Sequence, residues 1–344
     1  MHDLESMPDV AVIGAGSWGT ALASVLADRL PRVTLWCRET EVATGINRNR
    51  HNPLFQSEFL LPANIEATTD LIATAARNRI LIMVVPTQFT RPVLNAIQAF
   101  VTPETLYVSA SKGVEADSMT LLSDLYVQVF GEEVRPRCCF LSGPSFARDV
   151  LSRLPAAVAV AGSDPANVER VRELFHTGYF RTYSSDDVVG LELGGALKNV
   201  YALAAGICDG LGLGHSARAA LLTRGLSEMI RLGVAMGARV ETFAGLSGMG
   251  DLLLTATSTL SRNHTVGRRL GAGETLEEIQ SESREIAEGV KTAQGVFRLA
   301  AERGIDMPIA QAVHDILYAG LAPLDAVRGL MEREPKPECA PGDR

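Results

Sequence analysis

The side chains of this chain that could do chemistry fall in a few short stretches. Lys198 stands in LELGGALKNVYALAAG, a helical pattern in which Glu192 is the only other charge. Desolvation there is expected to lower its pKa toward the range useful to a general acid or base, although a lysine snorkelling at a domain junction would look the same. Lys112, in the polar turn Ser111-Lys112-Gly113, is a second cation, and a cation near the first would depress it further. Asp251 closes GLSGMGD and opens an apolar helical stretch, where it either caps the helix or orients a catalytic lysine. The cluster Ser261-Arg262-Asn263 follows a break in that stretch, and the planar fork of Arg262 suits a phosphate.

These groups need elements to hold them. The loop GAGSWG, Gly14 to Gly19, directly follows the apolar run Val10 to Ile13 and precedes the alanine-rich stretch Thr20 to Ala27. That order reads as strand, tight turn and helix. Gly14 permits the turn, Gly16 lets the backbone approach a pyrophosphate, and Gly19 lets the helix pack on the strand. The helix amino terminus then offers free N–H groups and a positive dipole end to phosphates. A second strand pattern, Arg32 to Cys37, arrives about 20 residues on, where such a unit presents its ribose-reading group. Arg38 at its end favours a 2′-phosphate, whereas Glu39 behind it keeps NAD open. Glycines that merely turn the chain, and a solvated charge pair after a strand, are the plainer alternatives.

Up to residue 188 short apolar runs alternate with helical stretches, which predicts a Rossmann-type α/β fold with a doubly wound parallel sheet. The expected strands are Val10 to Ile13, Val33 to Cys37, Ile80 to Val85, Leu106 to Ala110, Cys138 to Leu141 and Ala156 to Val160. Leu121, Leu125 and Val129 share one helical face after a cap expected at Asp117. Val85-Pro86-Thr87, Ser111-Lys112-Gly113 and Ser142-Gly143-Pro144-Ser145 lie just past strand carboxyl ends, the ligand-binding edge of an open α/β sheet. From Val189 strand signals vanish, and Leu191 to Ile207, Arg218 to Met236, the stretch beginning at Leu276 to Glu278, Val290 to Arg303 and Ile309 to Ala319 predict an all-helical C-terminal domain. The expected organisation is a dinucleotide-binding domain over 1–188, a helical substrate domain over 189–331 and a disordered tail over 332–344, EREPKPECAPGDR.

At 344 residues the chain is long enough for two cores, and 47% hydrophobic with 21% charged residues is an ordinary globular composition. MHDLESMPDV has neither the basic segment nor the apolar core of a secretory signal, and no uninterrupted apolar run reaches the ~20 residues of a membrane span. Cytoplasmic localisation without stable membrane insertion is the default expectation. Cys37, Cys138, Cys139, Cys208 and Cys339 show no zinc-type spacing and, being odd in number, no disulfide framework, so no metal site is expected and they read as reduced thiols. A net charge of −8 disfavours nucleic acid and anionic membrane as partners.

Taken together, the segments closely resemble the bacterial type of NAD(P)-dependent glycerol-3-phosphate dehydrogenase. GAGSWGTALA, VVPT, SASKG, LSGPSFA, LGGALKNVYALAAG, DGLGLG, AALLTRGL, GLSGMGDLLLT, SRN and AEGVKTA carry the resemblance over nearly everything from Val10 to Leu330. It implies interconversion of glycerone phosphate and sn-glycerol 3-phosphate, with Lys198 as proton carrier and Lys112 and Asp251 beside it. It implies Lys112, Gly143, Ser145, Asp251, Ser261, Arg262 and Asn263 around the phosphorylated small molecule. Around the cofactor it implies Ser17, Trp18, Arg38, Lys112, Ala147, Arg262, Ile286 and Glu288, with Ile286 a mild departure from the family's usual Val. NADP is slightly favoured over NAD by Arg38. The alternatives are a related dehydrogenase of a 3-hydroxy acid or phosphogluconate-like substrate and a non-catalytic nicotinamide sensor. Apolar helices in the second half make a homodimer plausible.

Overall fold

The computed structural model describes residues 9–115, 120–282, 287–335 and 337–338. By contact density the chain divides into two compact units, Met1–Lys112 with Leu122–Val188, and Gly113–Leu121 with Val189–Arg344. The expected cap at Asp117 lies outside the described residues, as do Ile286 and Cys339.

The first unit follows the order β1 (Val10–Ile13), α1 (Ser17–Ala27), β2 (Val33–Trp36), α2 (Thr40–Asn49), β3 (Ile65–Thr68), α3 (Leu71–Arg77), β4 (Ile80–Met83) and α4 (Thr90–Ile97). It continues with β5 (Leu106–Ser109), α5 (Leu122–Phe130), β6 (Cys138–Ser142), α6 (Ala147–Leu151), β7 (Ala156–Gly162), α7 (Pro165–Phe175) and β8 (Phe180–Ser185). The sheet order is β3-β2-β1-β4-β5-β6-β7-β8. From β3 to β6 all neighbours are parallel, and this is the doubly wound dinucleotide-binding order. β1, β4, β5 and β6 are buried at every position, because helices cover both faces and only Val, Ile, Leu and similar side chains suit such strands.

The doubly wound sheet is parallel at every neighbouring pair but one. β7 runs antiparallel to β6. The link between them holds only the five-residue α6, which rises about 7.5 Å, short of the strand length that a covering crossover helix matches. The 11-residue α7 is long enough, so β8 returns parallel to β7. β3 and β8, at the two edges, were not foreseen; their alternating polar positions, such as Glu66 and Arg181, lack the continuous apolar run of a covered strand.

The second unit is helical: α8 (Val188–Gly210), α9 (Gly214–Ala235), α10 (Val240–Ala244), a π-helical turn (Leu246–Gly250), α11 (Asp251–Thr257), α12 (Arg262–Gly271), α13 (Leu276–Glu282), α14 (Glu288–Arg303), α15 (Pro308–Tyr318) and α16 (Pro323–Met331). α8 is long and apolar enough to cross a bilayer by length and composition, but 89% of its most apolar window is buried within the protein. Val114 and Leu121 of the outlying segment pack into the same core as α8. Buried Glu228 of α9 accepts hydrogen bonds from the N–H groups of Ile309 and Ala310 at 2.8 and 3.1 Å and from the Tyr201 hydroxyl at 3.0 Å, capping α15 and tying it to α8. Of the stretch expected to be an unstructured tail, Arg333 is paired with Asp306 at 2.9 Å.

α8 and α12 meet along a seam of glycines. A Cβ on Gly267 would fall 2.1 Å from the Leu203 carbonyl oxygen, and one on Gly271 would fall 2.4 Å from that of Ile207. Reciprocally, a Cβ on Gly206 would meet the His264 carbonyl oxygen at 2.1 Å, and on Gly210 that of Arg268 at 2.2 Å. α8 and α12 therefore run parallel in fixed register with their backbones in contact, each through a pair of glycines one helical turn apart, the arrangement that small residues at four-residue spacing allow. Gly329 in α16, by contrast, has nothing within 4 Å of a built Cβ. Gly267→Ala should destabilise the protein by about 1–3 kcal/mol through overpacking, whereas Gly329→Ala should stabilise it by about 0.5–1 kcal/mol through lower unfolded-state entropy. Urea denaturation of both variants checks the opposite signs.

Candidate active site

In the first unit the glycine loop is built as its spacing requires. Gly14 adopts φ +118°, donates its N–H to the Trp36 carbonyl at 3.0 Å, and has no room for a side chain against Val84. A Cβ on Gly19 would lie 1.7 Å from the Gly14 carbonyl oxygen, so the helix can start here only on glycine. At Gly16, the N-cap of α1, a built Cβ meets nothing within 4 Å, so that face of the loop is open. α1 has no side-chain cap and no acidic residue in its first turn, leaving its first N–H groups for an anion. Asn52, fully buried, braces the loop by donating to the Ala15 carbonyl at 2.8 Å and to Thr20 Oγ1 at 2.9 Å. The Trp18 indole N–H, in the first turn, is buried with no partner among the described residues. Backbone donors, an open approach and an orphaned donor together fit a dinucleotide pyrophosphate.

The loops past β4, β5 and β6 are tied to one another. Ser111 Oγ donates to the Val85 carbonyl at 2.6 Å, and Lys112 Nζ and Ser145 Oγ both donate to the Gly143 carbonyl at 3.0 Å. Lys112, Gly143 and Ser145 are thus brought together at the carboxyl edge of the sheet. Ala147 opens α6, which packs against α1. At the end of β2 Arg38 turns onto Glu39, Nη2 to Oε1 at 2.7 Å, with its side chain 77% exposed. Glu39 is the N-cap of α2 yet makes no cap hydrogen bond, its carboxylate being given to Arg38. The buried Cys37 thiol beside them is pushed up to about 11 by burial and by the Glu39 charge, and burial takes Cys139 up to about 12, so neither is a ready nucleophile.

In the second unit Lys198 and Asp251 form a buried ion pair, their side chains 8% and 1% exposed. Thr255 Oγ1 accepts from Lys198 Nζ at 3.0 Å. Of the two roles open to Asp251, lysine partner and helix cap, the first holds: Gly250 is the N-cap of α11. Gly194 makes the meeting possible. A Cβ there would lie 2.4 Å from the Ser247 carbonyl oxygen, so the π-helical turn rests directly on α8, and one turn further along α8 Lys198 reaches Asp251. Lys198 Nζ is thus fixed in place by two partners, the Asp251 carboxylate and the Thr255 hydroxyl.

The α8–α12 seam does the same for the polar cluster. Asn263 donates from Nδ2 to Asn199 Oδ1 at 3.0 Å and accepts at Oδ1 from the Gly289 N–H at 2.9 Å, joining α12 to α8 next to Lys198 and to α14 next to Glu288. Ser261 caps α12, accepting from the His264 N–H at 3.3 Å, and Arg262 is the first residue of the helix. Lys198, Asp251, Asn263 and the bases of Arg262 and Glu288 thus belong to one connected set.

Comparison with known proteins agrees with this geometry. Residues 9–168 match the model of the NAD-dependent glycerol-3-phosphate dehydrogenase N-terminus, and residues 187–328 match that of its C-terminus. The chain belongs to this family. It is 50% identical over 329 residues, 96% of this chain and 98% of the relative, to the NAD(P)+ glycerol-3-phosphate dehydrogenase of Geobacter metallireducens. To that of Leptospira biflexa it is 46% identical over 329 residues, 96% and 99% of the two chains. The crystal structure of glycerol-3-phosphate dehydrogenase from Coxiella burnetii superimposes with a TM-score of 0.90 at 37% identity, covering 95% of this chain and 99% of that one.

For this glycerol-3-phosphate dehydrogenase family member, sequence reasoning had passed over Asn52, Asn199 and Thr255. Thr255 was within reach, because it stands four residues after Asp251 on the same helix face. Asn52 and Asn199 carried no local signal, since their partners Ala15 and Asn263 are distant in the chain. Gly16→Ala separates fold from binding. The position is extended at φ −69° with open space, so thermal stability should stay within about 2 °C of wild type, while, if the first turn of α1 holds a pyrophosphate, the added methyl should lower cofactor affinity at least about tenfold. Thermal melts and a fluorescence titration with the reduced cofactor check both halves.

Proposed function

We infer that this protein interconverts glycerone phosphate and sn-glycerol 3-phosphate with a nicotinamide dinucleotide, supplying glycerophospholipid synthesis. The buried Lys198–Asp251 pair with Thr255, in a chain of this family, carries the reading. When bound, the nicotinamide supplies or takes the hydride at the substrate's C2. Lys198 holds the proton that the C2 oxygen takes up on ketone reduction and gives back on alcohol oxidation, and Asp251 and Thr255 keep its ammonium aimed and charged. Arg262, Ser261 and Asn263 at the start of α12 are assigned to the substrate phosphate, and Lys112, Gly143 and Ser145 to the substrate from the first unit. The first turn of α1 with Gly14, Gly16, Ser17, Trp18 and Gly19 is assigned to the pyrophosphate. Arg38, Ala147, Lys112, Arg262, Ile286 and Glu288 complete the cofactor set, with Arg38 reading a 2′-phosphate and favouring NADP over NAD. Oxidation of the reduced cofactor, followed by its absorbance with glycerone phosphate as second substrate, tests the whole reading, and no turnover with either cofactor would refute it.

Lys198→Ala should lower kcat by roughly 10²- to 10⁴-fold with cofactor affinity near normal, as loss of a positioned proton carrier requires. Because Asp251 then loses its buried partner, stability should fall by about 3–5 kcal/mol, and Lys198→Met combined with Asp251→Asn should recover the stability without the turnover. Steady-state kinetics beside denaturation curves decide it; a variant keeping more than about a tenth of wild-type kcat would remove Lys198 from the role.

Arg38→Ala addresses the cofactor. Charge-assisted hydrogen bonds to a 2′-phosphate are worth about 1.5–3 kcal/mol each, so the ratio of kcat/KM for NADPH to that for NADH should fall about tenfold or more. An equal fall for both would make Arg38 structural.

A further inference from the structure

The start of α12 is held by more than its seam with α8. Asp209, in the last turn of α8, faces His264 Nε2 at 2.9 Å and accepts from Arg218 Nη1 of α9 at 2.8 and 3.0 Å. Arg218 Nη2 in turn lies 2.9 Å from His215 Nδ1. The His264 side chain is 5% exposed, and its Nδ1 has no partner among the described residues, so the hydrogen bond recorded for the ring is the one to Asp209. Burial alone would raise the Asp209 carboxyl, but hydrogen bonds from His264 and Arg218 and the Arg218 charge hold it below the ordinary carboxylate value. The anchor therefore stays ionised through the neutral range.

None of this touches the proton-carrying pair, yet it bears on the residue next door. His264 follows Arg262 by two positions, and its own N–H is bonded to the cap Ser261. Asn263 fastens α12 to α8 at Asn199, and His264 fastens it again at Asp209, about 15 Å further along α8. Asn263 and His264 are neighbours on α12 but bond to partners ten residues apart on α8, so together they oppose rolling of the first turn of α12 on the glycine seam.

We propose that the Asp209–His264 pair is a positioning element of the substrate grip, fixing the roll of the first turn of α12 and hence the direction of Arg262 relative to Lys198. The proposal rests on the assignment of Arg262 to the substrate phosphate. Neither residue is a catalytic residue; both act through Arg262.

The test compares kcat/KM for glycerone phosphate with that for unphosphorylated dihydroxyacetone in wild type, Arg262→Ala, His264→Ala and His264→Gln. His264→Ala should lose about 10- to 100-fold on the phosphorylated ketone and no more than about threefold on the bare one, since a misdirected grip costs only the substrate that uses it. His264→Gln places an amide N–H where Nε2 was and should restore activity to within about threefold of wild type. Equal loss on both ketones, no loss on either, or a loss that glutamine fails to reverse overturns the proposal. Should His264→Ala fail to fold, His264→Phe keeps the ring volume without the donor and is read by the same ratio. A wild type without preference for the phosphorylated ketone, or an Arg262→Ala variant that keeps the preference, refutes the underlying assignment; a preference lost in Arg262→Ala but kept in His264→Ala refutes the positioning role alone.

Discussion

A lysine ammonium and an aspartate carboxylate can leave water at acceptable cost only together. Each alone would cost several kcal/mol on entering the helical core, and their attraction offsets this only in direct contact with remaining donors satisfied. Much of the second unit follows from that constraint. α8 must be apolar enough to bury Lys198, Gly194 must lack a side chain so that the π-helical turn can rest on α8, and that turn delivers Asp251 to the ammonium with Thr255 one turn behind. A π-helical turn is an uncommon element that recurs at functional sites, and here it sets the register of the charge partner.

The same helix sets a second distance. Because α12 lies against α8 on glycine faces, Asn263 sits beside Asn199 and the polar start of α12 is held next to the buried pair. Backbone contact makes this spacing stiff across the seam, since no flexible side chain intervenes. The polar fastenings at Asn199 and Asp209 add side-chain contacts across the same seam.

The first unit meets an opposite demand, holding charge that a ligand brings. An overall charge of −8 repels a dinucleotide at long range, so attraction must be local. The first unit offers an uncapped N-terminus of α1, free of acidic residues in its first turn, and Lys112 at the tied strand-end loops. Arg38, at the end of β2, is already engaged by Glu39. The two residues that pointed to different cofactors in the sequence are thus in contact with each other.

The sequence alone determined what depends on neighbours along the chain. Strand, glycine turn and helix were readable at Val10 to Ala27 because each glycine's task is local, and the covered strands were readable because burial on both faces demands unbroken apolar runs. Lys198 stood out because a lone cation in an apolar helix is costly wherever the helix lies. Tertiary structure decided what depends on residues far apart in sequence: that Asp251, 53 positions on, is the partner of Lys198 and not a cap, and that α12 lies parallel to α8. It decided also that β7 turns back against β6, that β3 and β8 close the sheet edges, and that Asn52, Asn199 and His264 are braces. Pairing energies arise only once remote backbones approach, and the small residues that permit the approach name no partner.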